Sequence, residues 1–528
     1  GMVTARNGVK VLAGGINAVG VVTATSFAGS GANLTGIDAL PSVSGTASGA
    51  IAANRAILLK NDGTYEQVTG IAQGLANNRA FFDRYSVVAG AYNPDLSNFA
   101  ILYMDVANGY YPTSVVGSIS GDTLSWGTPQ VVSSQHPGAN CMAMNYDPQY
   151  DVYVGFFRYS TYQNRIRIAL GSASGTSITW TAVGNAVFSQ ANGADYYGSC
   201  YNPTAQRHGL VYRDQNNGGA IKAAELTVTG TTSVSYNQSD NMWSSSGYNN
   251  CYICYDSTND CYLVAASKQN NNWYGVVRLF KTDQLASPPG GEWSVGGAVK
   301  MYGIEHDPVS GNTCILYYNT GNGNVFLQST ATVNTTSGYI TGGTAVQVNS
   351  GTESTFKGAG MTYDSNAKKF VITYSYSTGG TAARVATVNS AGVITLDPIM
   401  TMNVGIWSDP DNTISMINVF NSNVNKVATV YQDAPNNIGN GTYGGYGKAI
   451  TAGSTNLDAA KYIGFSAESV TNGQTVKVKT KSNTVTQAGL TTSSRYYIQN
   501  DTGALGTTAS NPSVDVGISL NSNTVLLQ

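Results

Sequence analysis

Seven times in its 528 residues the chain returns to one short unit, whose fullest form is Tyr146-Asp147-Pro148-Gln149-Tyr150-Asp151-Val152-Tyr153-Val154-Gly155-Phe156-Phe157-Arg158. Proline presets φ for a turn, and flanking Tyr, Val and Phe suit a pleated, half-buried surface, so the unit predicts two strands joined by a tight Asp-Pro turn. The other copies are Tyr92-Asn93-Pro94, Tyr201-Asn202-Pro203, Tyr255-Asp256-Ser257, His306-Asp307-Pro308, Tyr363-Asp364-Ser365 and Phe420-Asn421-Ser422. Successive spacings of 54, 55, 54, 51, 57 and 57 residues form a period in the range of arrays and propellers. Eleven residues after each first position stand Tyr103, Phe157, Tyr212, Ala266, Tyr317, Tyr374 and Tyr431. One register therefore runs through every copy, and register fixes which face is buried.

Each hairpin is followed by a polar loop and a third strand such as Arg165–Leu170. A turn such as Ser120-Gly121-Asp122-Thr123 or Ser174-Gly175-Thr176-Ser177 then leads to a fourth strand opened by Leu124-Ser125-Trp126 or Ile178-Thr179-Trp180. Four alternating strands per ~50 residues is the sequence form of a propeller blade, so residues 81–455 predict a seven-bladed, all-β propeller. Separate sandwiches are excluded by size, because each unit is half of a ~100-residue sandwich. With 11% charged residues and a net charge of -2, the chain shows no basic footprint for nucleic acid. No apolar run approaches the ~18 residues of a membrane span, and residues 1–30 lack the pattern of a secretory signal.

The flanks differ from the array. Residues 41–80 contain Ala56-Ile57-Leu58-Leu59-Lys60-Asn61-Asp62-Gly63-Thr64-Tyr65-Glu66-Gln67-Val68, a strong hairpin signal around Asn-Asp-Gly. Residues 456–528 carry further short strands without the ~55-residue period. Residues 1–40 hold β-prone pieces too few to bury an apolar face within one chain, which calls for partner chains. Their stretch Ala24-Thr25-Ser26-Phe27-Ala28-Gly29-Ser30-Gly31-Ala32-Asn33-Leu34-Thr35-Gly36-Ile37 resembles segments in fibre and tail proteins of tailed bacteriophages. Gly489-Leu490-Thr491, Tyr496-Tyr497 and Val516-Gly517-Ile518-Ser519-Leu520 are similar to small β domains that accompany propellers in such virion proteins. The resemblance implies a shaft-like oligomerising segment over 1–40 and one small β domain built from 41–80 and 456–528, with the propeller inserted in it. It also implies a homotrimer on the virion surface, contacting other virion proteins and a host cell-surface glycan or protein. A tail fibre or receptor-binding protein is the first reading, and a capsid-decorating or head-fibre protein the second.

In a propeller the strand one-to-two and three-to-four turns lie on one face, and the two-to-three loops lie on the other with the blade connections. Here the first set is uniform and the second diverse, and diverse loops on a rigid frame are where binding tends to reside. Those loops carry Tyr110, Tyr111, Tyr159, Tyr162, Trp273, Tyr274, Tyr376, Tyr443 and Tyr446, amphipathic rings suited to a sugar-binding surface. Arg158 and Arg213 stand just after the second strand, with Asp105, Asp214, Lys268 and Asp433 at like positions. A glycosidase would need paired carboxylates, or a Tyr nucleophile with an Arg cluster, and only two of seven units supply Arg there. Ser120-Gly121-Asp122-Thr123-Leu124-Ser125-Trp126 resembles the Asp-box of sialidases but lacks its Gly and is one residue shorter. A sialidase-like hydrolase is thus the third reading, and no catalytic residue is assigned.

The repeated Asp147, Asp256, Asp307 and Asp364 are expected to accept hydrogen bonds from backbone amides two residues on rather than to hold a metal. Cys251-x-x-Cys254 places its thiols on opposite strand faces with no second pair, which argues against zinc, and a Cys254–Cys261 bridge stays open. His136, His208 and His306 form no triad. No cofactor is expected.

Overall fold

The computed structural model describes residues 42–77, 79–80, 85–105, 107–134, 142–159, 165–182, 194–243, 247–268, 273–282, 291–351, 356, 358–375, 380–403, 416–438, 442–499, 503–509 and 514–528. Residues 1–40, the expected shaft segment, lie outside them. Among the described residues the fold is all-β, with one 3-10 turn at Gln215–Asn217 and no helix long and apolar enough to cross a membrane. The chain divides into two units, Val68–Ala459 with 498–513, and a second built from the terminal parts.

In the first unit each sequence repeat is an antiparallel meander. The second repeat shows the pattern: Met142–Asp147, Val152–Tyr159, Arg165–Ser174 and Ser177–Ala182 pair in chain order. Among the described residues seven such sheets follow one another, opening with Tyr85–Asn93, Met142–Asp147, Ala194–Asn202, Tyr248–Asp256, Val299–Asp307, Ala359–Asp364 and Ile417–Asn421. Each opening strand contacts the next, and Ile417–Asn421 contacts Tyr85–Asn93, so the opening strands form a closed ring. The apolar clusters follow that order. Val154, Phe156 and Ile168 of the second repeat share one with Leu210, Tyr212 and Leu226 of the third, while Val419 and Val430 of the seventh share another with Phe99, Ile101 and Val115 of the first. All seven register residues, Tyr103, Phe157, Tyr212, Ala266, Tyr317, Tyr374 and Tyr431, are buried, each large one worth roughly 1.5–3 kcal/mol on the transfer scale.

The repeated hairpin turn is the same in every copy. The side-chain Oδ1 of Asn93, Asp147, Asn202, Asp256, Asp307, Asp364 and Asn421 accepts from the N–H groups two and three residues on. The fourth residue on is left-handed in all seven: Ser97, Asp151, Gln206, Asp260, Gly311, Lys368 and Asn425. The turns also hold one another. Asn93 Nδ2 donates to Asp151 Oδ1 at 2.8 Å, His208 Nε2 lies 2.9 Å from Asp147 Oδ2, and Tyr255 Oη donates to Thr204 Oγ1 at 2.9 Å. Asn366 Nδ2 donates to the Ser422 carbonyl at 2.7 Å, and Asn423 Nδ2 returns to the Pro94 carbonyl at 2.8 Å.

The seventh sheet has three strands of its own repeat, Ile417–Asn421, Lys426–Ile438 and Thr442–Thr451. Its outer strand comes from before the first repeat, with Leu75 opposite Ile450 and Ala80 opposite Tyr446. This corrects the expectation that residues 41–80 all belong to the small domain: the stretch from Val68 onward belongs to the ring. Two-residue strands such as Gly74–Leu75 carry too little alternation to declare a partner about 370 residues away.

In the second unit Ser42–Thr46, Thr475–Lys479, Tyr462–Ser466, Ala56–Leu59 and Tyr65–Gln67 make one sheet, so both ends of the chain contribute to it. Ala47, Ile51, Ile57, Val476 and Val478 form its core.

Candidate functional site

At the end of the ring opposite the hairpin turns, the chain passes from the second strand of a repeat to the third. In the third repeat that loop is capped by Asp214, whose carbonyl accepts from Gly219 N–H at 2.9 Å, and Gly219 has φ +77° before the strand opens at Ala220. The fifth repeat does the same with Asn319 and Gly323, at φ +71° before Asn324. Glycine is the expected residue, because a Cβ in this conformation costs about 1–2 kcal/mol. The first and fourth repeats put Tyr110 (φ +62°) and Trp273 (φ +56°) at this position, immediately before third strands that open with Tyr111 and Tyr274. Two bulky aromatics thus hold a backbone conformation that glycine supplies elsewhere in the same chain. Tyr110 is 40% exposed and Tyr274 41% exposed, while Tyr111 and Trp273 are half-buried.

Trp273 is held from both sides. Its carbonyl accepts from Val299 N–H at 2.8 Å, and Lys300 Nζ sits 4.5 Å from the centre of its ring. Beside it Tyr302 meets Phe356 edge-on at 5.0 Å, and Phe356 stacks on Tyr318 at 4.5 Å and 11°. Lys268, the register partner of both Tyr248 and Tyr274, places its Nζ 5.5 Å from the Tyr248 ring centre. Desolvation holds the Lys300 ammonium below the usual lysine range.

The remaining candidates separate. Arg213 is committed to structure: it grips Asp195 with Nε at 2.7 Å and Nη2 at 2.5 Å and donates from Nη1 to the Tyr248 carbonyl at 3.1 Å. Asp214 is paired with Lys222 at 2.7 Å, and Asp105 caps its own loop through the N–H groups of Ala107 and Asn108. Tyr446 packs into the core, 6.4 Å from the Tyr431 ring. Arg158 is half-buried on its strand. Tyr159 and Tyr443 are strand residues whose side chains lie outside the described set, and Tyr162 and Tyr376 lie outside it altogether. Sequence reasoning missed Lys300, Tyr302, Tyr318 and Phe356. The signal available was Lys300 and Tyr302 alternating with buried Val299 and Met301 at the start of an opening strand.

The opening strands enclose a channel of about 890 Å³, with Trp273, Lys300 and Tyr302 among its lining. Toward the hairpin end, the residue before each hairpin aromatic faces it: Cys200, Cys254 and Glu305 take this position in three successive repeats. Glu305 has neither a side-chain hydrogen bond nor an ion pair among the described residues, and burial pushes its carboxyl up to about 8. Burial likewise raises the thiols of Cys200 and Cys254. Cys200, Cys251, Cys254, Cys261 and Cys314 are unbridged, so the Cys254–Cys261 disulfide is not formed. Cys251 and Cys254 enter different apolar clusters, and among the described residues no group of three His, Cys, Asp or Glu side chains could hold a metal.

No protein-family model matches the chain, and no curated protein matches it. Among solved structures it is similar to the BP39L lectin from Burkholderia pseudomallei, at 9% identity over 71% of this chain and 99% of that one, with a TM-score of 0.49. It is also similar to the fucose-specific lectin from Aleuria aurantia, at 10% identity over 61% and 97% with a TM-score of 0.37. A third likeness is to the WD40 domain of SCAP from fission yeast, at 9% identity over 77% and 97% with a TM-score of 0.36.

Proposed function

We propose that this is a virion attachment protein of the tailed-phage type, a seven-bladed propeller inserted in a small β domain, which binds cell-surface glycans without turning them over. The binding surface is the end opposite the Tyr-Asp-Pro turns. One observation carries the binding role: Tyr110 and Trp273 occupy a left-handed position that Gly219 and Gly323 fill in sister repeats. The hairpin turns hold Ser97, Asp151, Gln206, Asp260, Lys368 and Asn425 in the same conformation; what distinguishes the loop end is that bulky aromatics bear the strain there, and strain at such residues concentrates at functional sites. The rings it presents, with Tyr111 and Tyr274 next in sequence, are of the kind that stack on sugar faces. Binding without turnover is supported by the commitment of Arg213, Asp214 and Asp105 to internal partners. The virion role rests on the resemblance of residues 24–37 and of the C-terminal segment. In that setting three copies on one shaft convert weak single-site affinity into avidity.

The test is a glycan array probed with the wild-type chain and with Trp273→Gly and Tyr110→Gly. Both variants should lose array binding while their melting temperatures hold or rise, since glycine relieves the backbone strain. Array signals that survive both substitutions, or a folded wild type that binds no glycan, would overturn the reading. Light scattering tests the trimer, and a monomeric full chain would remove avidity from the mechanism.

A further inference from the structure

We infer that the sugar recognised at the Trp273 surface is anionic, with Lys300 and Lys268 supplying the complementary charge; the inference rests on the glycan-binding reading above. Three buried lysines of the ring are committed to internal acceptors: Lys222 to Asp214 at 2.7 Å, Lys369 to Asp397 at 3.2 Å and Lys448 to the Met402 carbonyl at 2.7 Å. Lys300 and Lys268 instead lie over the faces of Trp273 and Tyr248 at 4.5 and 5.5 Å, and neither forms an ion pair among the described residues. An ammonium resting on a ring is held in place by the quadrupole but keeps its charge uncompensated. Lys268 is the register partner of Tyr248 and Tyr274 and shares their face of the fourth sheet, turned toward the third, while Lys300, the register partner of Tyr318, lines the channel with Trp273.

This end of the ring therefore offers the Trp273 ring beside Lys300 and the Tyr274 ring on the same sheet face as Lys268, each an apolar surface with one positive charge at its side, in a chain whose overall balance is -2. Partial desolvation of Lys300 sharpens the preference, because a half-buried charge is screened by salt less than an exposed one. Lysine acts as a point charge without the planar fork of arginine, so a carboxylate and a sulfate ester are both accommodated. The shared chemistry is a negative charge on the ring or its exocyclic carbon.

The full-length chain is titrated by biolayer interferometry against immobilised tetragalacturonate, a sulfated galactan oligosaccharide and neutral galactotetraose, at low and high NaCl. The wild type should prefer at least one acidic probe by about tenfold or more, the equivalent of ~1.4 kcal/mol, and the preference should shrink with salt. Lys300→Gln with Lys268→Gln should abolish the preference while Lys300→Arg retains it, with circular dichroism melts showing every variant folded. If the tetragalacturonate arm alone responds, the charge read is a carboxylate; if the galactan arm alone responds, it is a sulfate; either outcome supports the inference. Equal binding of neutral and acidic probes, or a preference that survives the double lysine variant, overturns the inference and leaves glycan binding standing. Failure of every probe on a folded protein, together with a blank glycan array, overturns both.

Discussion

Replacing Glu305 by Gln should stabilise the ring unit at alkaline pH and change little in acid. The carboxyl faces the channel without a hydrogen-bond or ion-pair partner among the described residues, and burial raises it from 4.5 to about 8. Because the folded-state value lies above the unfolded one, the penalty is absent below about pH 4.5. It grows as the unfolded chain ionises and is complete once the pH passes about 8. At about 1.36 kcal/mol for each tenfold change in proton affinity the ceiling is ~5 kcal/mol. Glu305 keeps part of its surface on the channel, where water weakens the effect, so about 2–3 kcal/mol is the working figure. The ring unit spans roughly 410 residues, and at about 2.1 cal/mol/K per residue its unfolding entropy is ~0.9 kcal/mol/K. The expected difference is therefore about 3 °C. Melts of wild type and Glu305→Gln would be run from pH 5 to 9 in parallel, so that every other titrating group cancels. His208, whose buried ring is held below the usual histidine range, works in the opposite sense, losing stability as the pH falls below about 6.5. It is common to both proteins and cancels. A wild-type-minus-variant difference that stays flat across the range would refute the reasoning.

Arg213→Ala should lower the melting temperature by about 4–6 °C, since it leaves Asp195 buried without its cation at a cost of about 3–5 kcal/mol. Its glycan binding when folded should be unchanged, and loss of binding would return Arg213 to the site. In Gly342→Ala the new Cβ would stand 1.9 Å from Trp293 Cζ2 across the interface between the fourth and fifth sheets. Overpacking of that kind costs about 1–3 kcal/mol, and an unshifted denaturant midpoint would show that the ring can move aside. At the shared left-handed turn position, Gln206→Gly should gain up to about 1 kcal/mol and Gly311→Ala should lose about as much. Equal stabilities in urea would mean that the turn conformation is set by its neighbours alone.

The turn itself was the most legible part of the molecule. A residue that can accept two backbone N–H groups, followed by Pro or Ser, is a local signal, and all seven copies close as that chemistry predicts. The buried register was equally readable, because eleven residues across a hairpin of fixed loop length always return to the same face. Two kinds of information were not local. The strand pair Leu75 and Ile450 depends on two segments far apart in the chain, each too short to show alternation. The fate of Arg213 depends on Asp195, eighteen residues earlier on the adjoining strand of the same sheet. A charge at a strand end reads the same in sequence whether it faces solvent or a carboxylate. The aromatic pairs Tyr110-Tyr111 and Trp273-Tyr274 were visible as loop aromatics, but what sets them apart is a dihedral angle that composition does not encode.

That dihedral gains its meaning from the repetition. Among the described residues four repeats place a left-handed residue just before the third strand, and two of them use glycine there. The two that use Tyr and Trp are compared with relatives in the same chain, under the same folding conditions and at the same place immediately before a third strand. A rigid array is the setting in which such a cost can be carried. The hairpin ends are tied through hydrogen bonds such as Asn93 to Asp151 and Asn423 to Pro94, and each sheet shares an apolar cluster with the next. Local strain of about 1–2 kcal/mol at one loop is then too small to open the ring. The uniform end therefore acts on function indirectly: by fixing the frame it allows the opposite end to keep side chains that the backbone alone would not favour.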